Sequence, residues 1–223
     1  MAVIQTLFPL RYFKETTPPA INSAEWRKLN WSKFEFGVTN KDGLLLITRG
    51  PRGTRCELKI PGGKLVGLNN GELGGKLTFK PADANKPVIE IKKGNIKFIF
   101  VLADNIYFIE EMAHAAIHKG LMYKIDTTDN KFTYTKVLDF TDEPEAYALY
   151  QGNLLLASYQ NFYRIGADLK KETLVQDAFW SGLFPTSIAV LDEWHVYIGL
   201  RSGYGKLDLS TKKTTFYRYT PGV

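Results

Sequence analysis

Three residues with side chains suited to binding recur at four-residue spacing in one segment of the chain. The segment EEMAHAAIHKG begins at Glu110, and His114 and His118 follow at intervals of four. On an α-helix this spacing places all three side chains on nearly one side, where a carboxylate and two imidazoles could ligate a divalent metal. A short surface helix or a long hairpin explains the same residues without a metal. We predict that this segment contacts a protein partner and that it holds no metal or cofactor.

The densest group of positive charges is the stretch RGPRGTR, which contains Arg49, Arg52 and Arg55. Arginines on a loop rich in Gly and Pro can bind phosphates or an acidic protein surface. Aromatic residues do not alternate with these arginines, as a stacking platform for single-stranded nucleic acid would require. We therefore predict contact with a protein, and nucleic-acid binding is kept as a second alternative.

Aromatic residues are frequent near the predicted connections in the C-terminal half. Tyr159, Trp180 and Phe184 fall in stretches without a clear strand pattern, and 13% of the whole chain is aromatic. Packing inside the fold accounts for most aromatic residues. Those on loops are also the residue types that anchor protein interfaces. These three are predicted to contact the partner.

The sequence lacks the signatures of common catalytic sites. It contains no G-x-S-x-G, H-E-x-x-H or P-loop motif, and Cys56 is its single cysteine. We predict no catalytic residue. The first alternative is a metal-dependent hydrolase of the lactonase type, which would need several polar side chains to converge on one channel. Candidates for that role are Glu57, Asn105, Glu145 and Asp192.

The elements that must position these residues are short strands arranged in a repeat. The stretch NLLLASYQNFYRIGADLKKETLV begins at Asn153, and a similar stretch runs from Asp192 to Tyr219. Arg164 and Lys206 align at an offset of 42 residues. Alternating apolar and polar residues between turn residues predict three strands in the second stretch and a similar set in the first.

Strand patterns continue through most of the chain in five segments. Small antiparallel sheets repeated at roughly 45 residues are typical of a β-propeller. We therefore predict an all-β fold, a β-propeller of about five small antiparallel blades in one domain of residues 1–223. N- and C-terminal strands, at 2–13 and 215–219, are predicted to close the ring. An open β-sandwich or barrel is the alternative. The five segments are 33–60, 63–92, 96–140, 145–176 and 186–219.

Two of these segments contain sequence motifs that occur in a known group of proteins. The strand Val196-Tyr197-Ile198-Gly199, followed by Lys206-Leu207-Asp208, resembles the blades of many bacterial β-propeller repeat proteins. Ile106-Tyr107-Phe108-Ile109 and Lys124-Ile125-Asp126 occupy the same places in the third segment. The resemblance covers the second half of the chain better than the first. It implies a fold and does not imply an activity.

Composition and charge narrow the class of protein further. The 223 residues carry a net charge of +6 and are 44% hydrophobic, which is usual for a globular chain. No secretory leader or membrane-spanning run is recognisable, so a cytoplasmic location without a membrane partner is predicted. We interpret the chain as a non-enzymatic propeller that binds another protein. A toxin neutralised by an immunity protein is one example of such a partner.

Overall fold

The computed structural model describes residues 7–50, 53–114, 117–128 and 131–221. Of residues 113, 114, 117 and 118 it describes the backbone alone. The described chain forms two compact units. The first unit contains the described residues of 1–52, 145–166 and 170–223, and the second contains those of 53–144 and 167–169.

Strands dominate both units. One α-helix, α1 (Ala24–Asn30), and two short 3-10 helices, Leu10–Tyr12 and Gly71–Leu73, are described. No described helix has the length and apolar character needed to cross a membrane. The strands are β1 (Phe13–Thr16), β2 (Phe36–Lys41), β3 (Leu44–Arg49), β4 (Arg55–Ile60), β5 (Gly63–Asn69), β6 (Gly75–Pro81), β7 (Ile89–Lys93), β8 (Asn95–Leu102), β9 (Asn105–His114), β10 (Ile117–Thr128), β11 (Lys131–Phe140), β12 (Pro144–Tyr150), β13 (Asn153–Ser158), β14 (Phe162–Ile165), β15 (Lys171–Val175), β16 (Ser187–Val190), β17 (His195–Leu200), β18 (Gly203–Asp208) and β19 (Thr214–Tyr219).

The first unit contains three sheets. Their strand orders are β1-β19-β18-β17-β16, β12-β13-β14-β15 and β2-β3. The N-terminal strand lies beside the C-terminal one, with Phe13 opposite Tyr219 and Thr16 opposite Phe216. The predicted N-terminal strand at 2–13 is wrong in its extent, because Pro9 precedes a 3-10 turn and β1 begins only at Phe13. Residues 1–6 lie outside the described residues.

The two hairpins related by the 42-residue offset pair in the same way. In β13–β14, Leu154 lies opposite Ile165. In β17–β18, Val196 lies opposite Leu207. All four side chains are buried, at 0% exposure, because the same positions of each alternating strand face the interior. Each buried aliphatic side chain of this size contributes roughly 1.5–3 kcal/mol of transfer free energy.

The second unit contains two four-stranded sheets, with strand orders β4-β5-β6-β7 and β11-β10-β9-β8. The predicted grouping of the strand near Cys56 with residues 33–49 is wrong. β4 pairs with β5 along its whole length, from Arg55 opposite Leu68 to Ile60 opposite Gly63. A two-residue turn, Pro61 and Gly62, joins the strands, and Gly62 has a φ of 78°. Proline followed by glycine favours this kind of tight turn.

The helix α1 begins directly after Ser23, which caps its N-terminus. The Oγ atom of Ser23 accepts a hydrogen bond from the backbone N–H of Trp26 at 3.1 Å. Leu29 is buried, and the indole N–H of Trp26 donates to the Ser181 carbonyl at 3.0 Å. The helix is thereby held against the 181–182 segment of the same unit, and its C-terminal end leads directly into Trp31.

Candidate functional site

Arg49 lies at the end of β3 with its guanidinium group over the ring of Phe34. The distance from Cζ to the ring centroid is 5.9 Å. One guanidinium nitrogen also lies 3.5 Å from the Lys33 carbonyl oxygen. Among the described residues, Arg49 forms no ion pair with a carboxylate. Its positive charge is therefore held in position, and its remaining N–H groups can still donate hydrogen bonds to a binding partner.

Several apolar side chains in this part of the first unit are open to solvent. Trp31 follows α1 and is 77% exposed, and Phe34 is 39% exposed. The ring of Phe34 stacks on buried Phe36 at an interplanar angle of 8° and also contacts Tyr219. Leu7, which is 57% exposed, forms an isolated bridge with Thr48, the residue before Arg49. Phe34 is thus anchored to the interior, whereas Trp31 projects from it.

Arg201 continues this surface and holds two of the predicted aromatic residues. Its guanidinium group donates to the Glu35 carboxylate at 3.0 and 2.5 Å. The same group lies 4.6 Å from the centroid of the Phe184 ring, which meets Tyr159 edge to face at 6.2 Å. Sequence reasoning missed Arg201 because its partners are 166 and 17 residues away.

These contacts connect the two arginines within the first unit. The backbone N–H of Ser202, next to Arg201, donates to the Phe34 carbonyl at 2.9 Å, and Glu35 forms a bridge with Arg201. The resulting strip of side chains is named here the aromatic–arginine surface. It consists of Trp31, Phe34, Arg49, Tyr159, Phe184 and Arg201.

The prediction that Trp180 contacts a partner is wrong. The side chain is completely buried in the core of the first unit, where it packs edge to face against Phe162 and Phe179. Its indole N–H donates to the Ser158 carbonyl at 3.1 Å. A buried indole needs such an acceptor, and this one is 22 residues away in sequence.

The other arginines of the predicted basic loop differ from Arg49. Arg52 lies outside the described residues. Arg55 is ion-paired with Glu57 on the same strand, and Lys64 lies 2.8 Å from the same carboxylate. Hydrogen bonds from Lys64 and Arg55 lower the pKa of Glu57 to about 2. Arg55 and Lys64 therefore share a carboxylate partner, and a single phosphate-binding loop of three arginines stays a prediction.

The insertion that begins at Glu110 is a β-hairpin, which is one of the two alternatives that the sequence left open. β9 and β10 pair antiparallel, with Ile117 opposite His114 and His118 opposite Ala113. On an extended strand, residues four apart lie on the same face but roughly 13 Å apart, so the close spacing that a helix would give is not present. The side chains of His114 and His118 lie outside the described residues, so their contact with a partner stays a prediction.

Glu110 is also not a surface residue. It is 8% exposed, and the ammonium group of Lys92 lies 2.8 Å from its carboxylate. Lys92 in turn lies over the Tyr123 ring at 5.3 Å. Burial and the negative charge of Glu110 raise the pKa of Tyr123 to about 12. A Cβ atom on Gly94 would collide with the Glu110 carboxylate, so the glycine leaves room for this ion pair.

A second buried carboxylate follows directly in the chain. Glu111 is 9% exposed, accepts a hydrogen bond from the Asn69 amide at 2.8 Å and lies 3.0 Å from the ammonium group of Lys97. Lys97 also lies 2.7 Å from Glu143. Consecutive residues of a strand point to opposite faces, so two adjacent buried carboxylates need separate partners. The sequence signal for these networks was the Glu-Glu pair within an otherwise apolar strand.

The side chains considered for a hydrolase take part in local interactions. Asn105 donates to the Ala103 carbonyl, and Asp192 binds the ring and backbone N–H of His195. These hydrogen bonds lower the pKa of Asp192. Within the described part of the chain, no group of three or more His, Cys, Asp or Glu side chains is placed to hold a metal ion.

Comparison with known proteins identifies a fold. No protein-family model and no curated protein matches the sequence. Among solved structures, a luciferin-regenerating enzyme is similar with a TM-score of 0.50 and 9% identity over 86% of this chain and 78% of that one. A streptogramin B lyase has a TM-score of 0.47 and 12% identity over 93% of this chain. Virginiamycin B lyase from Staphylococcus aureus has a TM-score of 0.43 and 14% identity over 94% of this chain and 75% of that one.

These similarities are at the level of the fold alone. The chain is all-β, and its structural neighbours are β-propeller proteins, which agrees with the resemblance recognised in the sequence. The chain spans 58% of the streptogramin B lyase structure. At identities of 9–14%, the activities of these enzymes do not transfer to this chain.

Proposed function

We propose that this chain is a non-enzymatic β-propeller that binds another protein through the aromatic–arginine surface. In this proposal the sheets are successive blades, about five in number, and the N-terminal strand completes the last one. The pairing of β1 with β19 supports this closure. Ring closure would remove the exposed strand edges of the terminal sheets.

The observation that carries the proposal is the composition and exposure of the surface. Trp31 is 77% exposed. Because the favourable free energy of burial grows with the apolar area removed from water, a side chain of this size has much to contribute when a partner covers it. Phe34, three residues further along the chain, carries the Arg49 guanidinium group over its ring. Phe184 lies against Arg201, and Tyr159 lies against Phe184. Trp, Tyr and Arg are the residue types most enriched among energetically dominant interface residues.

The kind of partner is part of the same proposal. A binding protein with an anchored aromatic surface can act by covering the functional surface of its target, as an immunity protein does with a toxin. We place this activity in the cytoplasm, where a single cysteine that forms no intramolecular disulfide is ordinary. Cys56 is half-buried, and burial raises its pKa to about 11, so the thiol stays protonated at neutral pH.

Site-specific photo-crosslinking tests the proposal. The photoreactive residue p-benzoylphenylalanine is placed at position 31 or, as a control, at position 194, where Trp194 is 49% exposed in the same unit. After irradiation in an extract of the source organism, we expect one discrete adduct from position 31 and none of the same mass from position 194. Adducts that are absent or identical at the two positions would remove the aromatic–arginine surface as the binding site.

A further inference from the structure

The described arginines fall into two groups according to their partners. Four of them form ion pairs with carboxylates: Arg55, Arg164, Arg201 and Arg218. In the described part of the chain, Arg11, Arg27 and Arg49 form no such pair, and all three belong to the N-terminal part of the first unit. Among the described arginines, those without a carboxylate partner are therefore confined to the region that also exposes Trp31.

Arg49 combines this free charge with a fixed position. The Phe34 ring supports the guanidinium group, and Phe34 is itself stacked on buried Phe36. A planar guanidinium group with its edge available donates two parallel hydrogen bonds to a carboxylate. Lys33, which is exposed, adds a second positive charge next to Phe34.

We infer that the partner presents an acidic segment, with Asp or Glu side chains next to an apolar side chain, to the site formed by Trp31, Lys33, Phe34 and Arg49. This inference rests on the proposed function and deepens it. The carboxylates pair with Arg49 and Lys33, and the apolar side chain covers Trp31. Complementary charge of this kind gives an interface its orientation and a rapid association rate.

The arrangement of the rings favours an acidic protein over a single strand of nucleic acid. Binding of such a strand uses several aromatic faces on which successive bases stack. The guanidinium group of Arg49 lies over Phe34, which also stacks on Phe36, so this ring is already in use. Trp31 is left as the strongly exposed ring of this site. One open ring within three residues of Lys33 and of Phe34, which carries the Arg49 guanidinium group, suits a carboxylate-rich segment with a single apolar anchor.

Selection from a displayed library of random 12-residue peptides tests the inference on the intact protein. Peptides are selected on the wild type, and the enriched pool is then measured on Arg49→Glu, Lys33→Glu and Lys213→Glu. Lys213 precedes β19, whereas Tyr219 at the other end of this strand contacts Phe34. Six strand residues separate the two sites by roughly 20 Å, so Lys213→Glu is a matched charge control.

We expect the enriched peptides to contain an excess of Asp and Glu together with an aromatic or aliphatic residue. Their binding should weaken at least tenfold on Arg49→Glu and on Lys33→Glu, and less than twofold on Lys213→Glu. Failure to enrich any peptide, enrichment without an acidic excess, or equal losses on all three variants would overturn the inference. Tighter binding of a labelled 12-nucleotide single strand, lost in Trp31→Ala, would also overturn it in favour of nucleic acid.

The two proposals can fail separately. A specific crosslink from position 31 together with peptides that lack an acidic preference would leave the binding surface in place and remove only the acidic partner. Absence of the crosslink together with selected peptides insensitive to Trp31→Ala would remove the binding surface itself.

Discussion

Each unit places a cation over an aromatic ring, but the two cations differ in what neutralises them. In the second unit, Lys92 lies 5.3 Å from the Tyr123 ring centroid and 2.8 Å from the buried Glu110 carboxylate. In the first, Arg49 lies 5.9 Å from the Phe34 ring centroid and forms no ion pair with a described carboxylate. A cation over an aromatic ring is therefore part of a buried ion-pair network in the second unit and part of an exposed surface in the first.

The difference shows which observation points to binding. A buried charge must be compensated within the fold, because its desolvation is costly. Lys92 and Glu110 satisfy each other, so their role is to hold the second unit together. Arg49, by contrast, is an exposed charge held over an exposed aromatic ring, so it can still form an ion pair with a binding partner. Four predictions test this contrast, from the largest expected effect to the smallest.

The largest effect is expected from the buried tryptophan of the first unit. Trp180→Ala should lower the free energy of unfolding by about 3–5 kcal/mol, because it leaves a cavity in the core and removes the hydrogen bond to the Ser158 carbonyl. Trp31→Ala, at an exposed position, should change it by no more than about 0.5 kcal/mol. Urea unfolding of both variants measures the contrast, and equal losses would show that the two side chains are not in different environments.

Removal of the buried carboxylate in the second unit should have the next largest effect. Glu110→Ala is expected to cost about 2–4 kcal/mol, because it leaves Lys92 largely buried without a counter-charge. The double variant Glu110→Leu with Lys92→Met should recover part of that loss, since both charges are then absent. A double variant as unstable as Glu110→Ala would mean that packing, and not the ion pair, holds this region.

The two arginines of the surface should differ in the same way. Arg201→Gln is expected to cost about 1–3 kcal/mol, because the half-buried Glu35 loses its hydrogen bonds. Arg49→Gln should cost no more than about 0.5 kcal/mol, since Arg49 has no carboxylate to release. Thermal and urea unfolding measure both, and a loss for Arg49→Gln equal to that for Arg201→Gln would place Arg49 among the structural residues.

The smallest effect is expected from the ionisation of Tyr123. Its pKa of about 12 in the folded protein exceeds the ordinary value of 10, so the unfolded chain binds fewer protons between these values. This contribution to stability is complete below pH 10 and is lost as the pH rises from 10 to 12. Absorbance at 295 nm, compared between the wild type and Tyr123→Phe, should reveal one tyrosine ionising near pH 12. If the ionisation that Tyr123→Phe removes is one that occurs near pH 10 in the wild type, the raised pKa of Tyr123 is contradicted.

Local patterns in the sequence predicted much of the strand content. Leu154 and Val196 lie in period-2 runs bounded by turn residues, and both are in the expected hairpins. The pairing of β4 with β5 was also readable, because Pro61 and Gly62 form a turn dipeptide. This turn dipeptide favours the pairing of β4 with β5 over a grouping of β4 with residues 33–49.

The site depended on contacts that sequence patterns do not encode. Arg49, at the end of β3, and Phe34, which precedes β2, are 15 residues apart, and Arg201 meets Glu35 across 166 residues. The burial of Glu110 follows from Lys92 on a different strand. Neither periodicity nor composition reports which charged residue will find a counter-charge, because that is decided by how distant strands pack.

The central claim is that Trp31 and its neighbours form the contact with a partner. Isothermal titration of the crosslinked partner, once purified, against wild type, Trp31→Ala and Trp194→Ala tests it most directly. We expect Trp31→Ala to raise the Kd at least tenfold, a loss of about 1.4 kcal/mol or more, and Trp194→Ala to leave it unchanged. Equal affinities for all three proteins would contradict the claim.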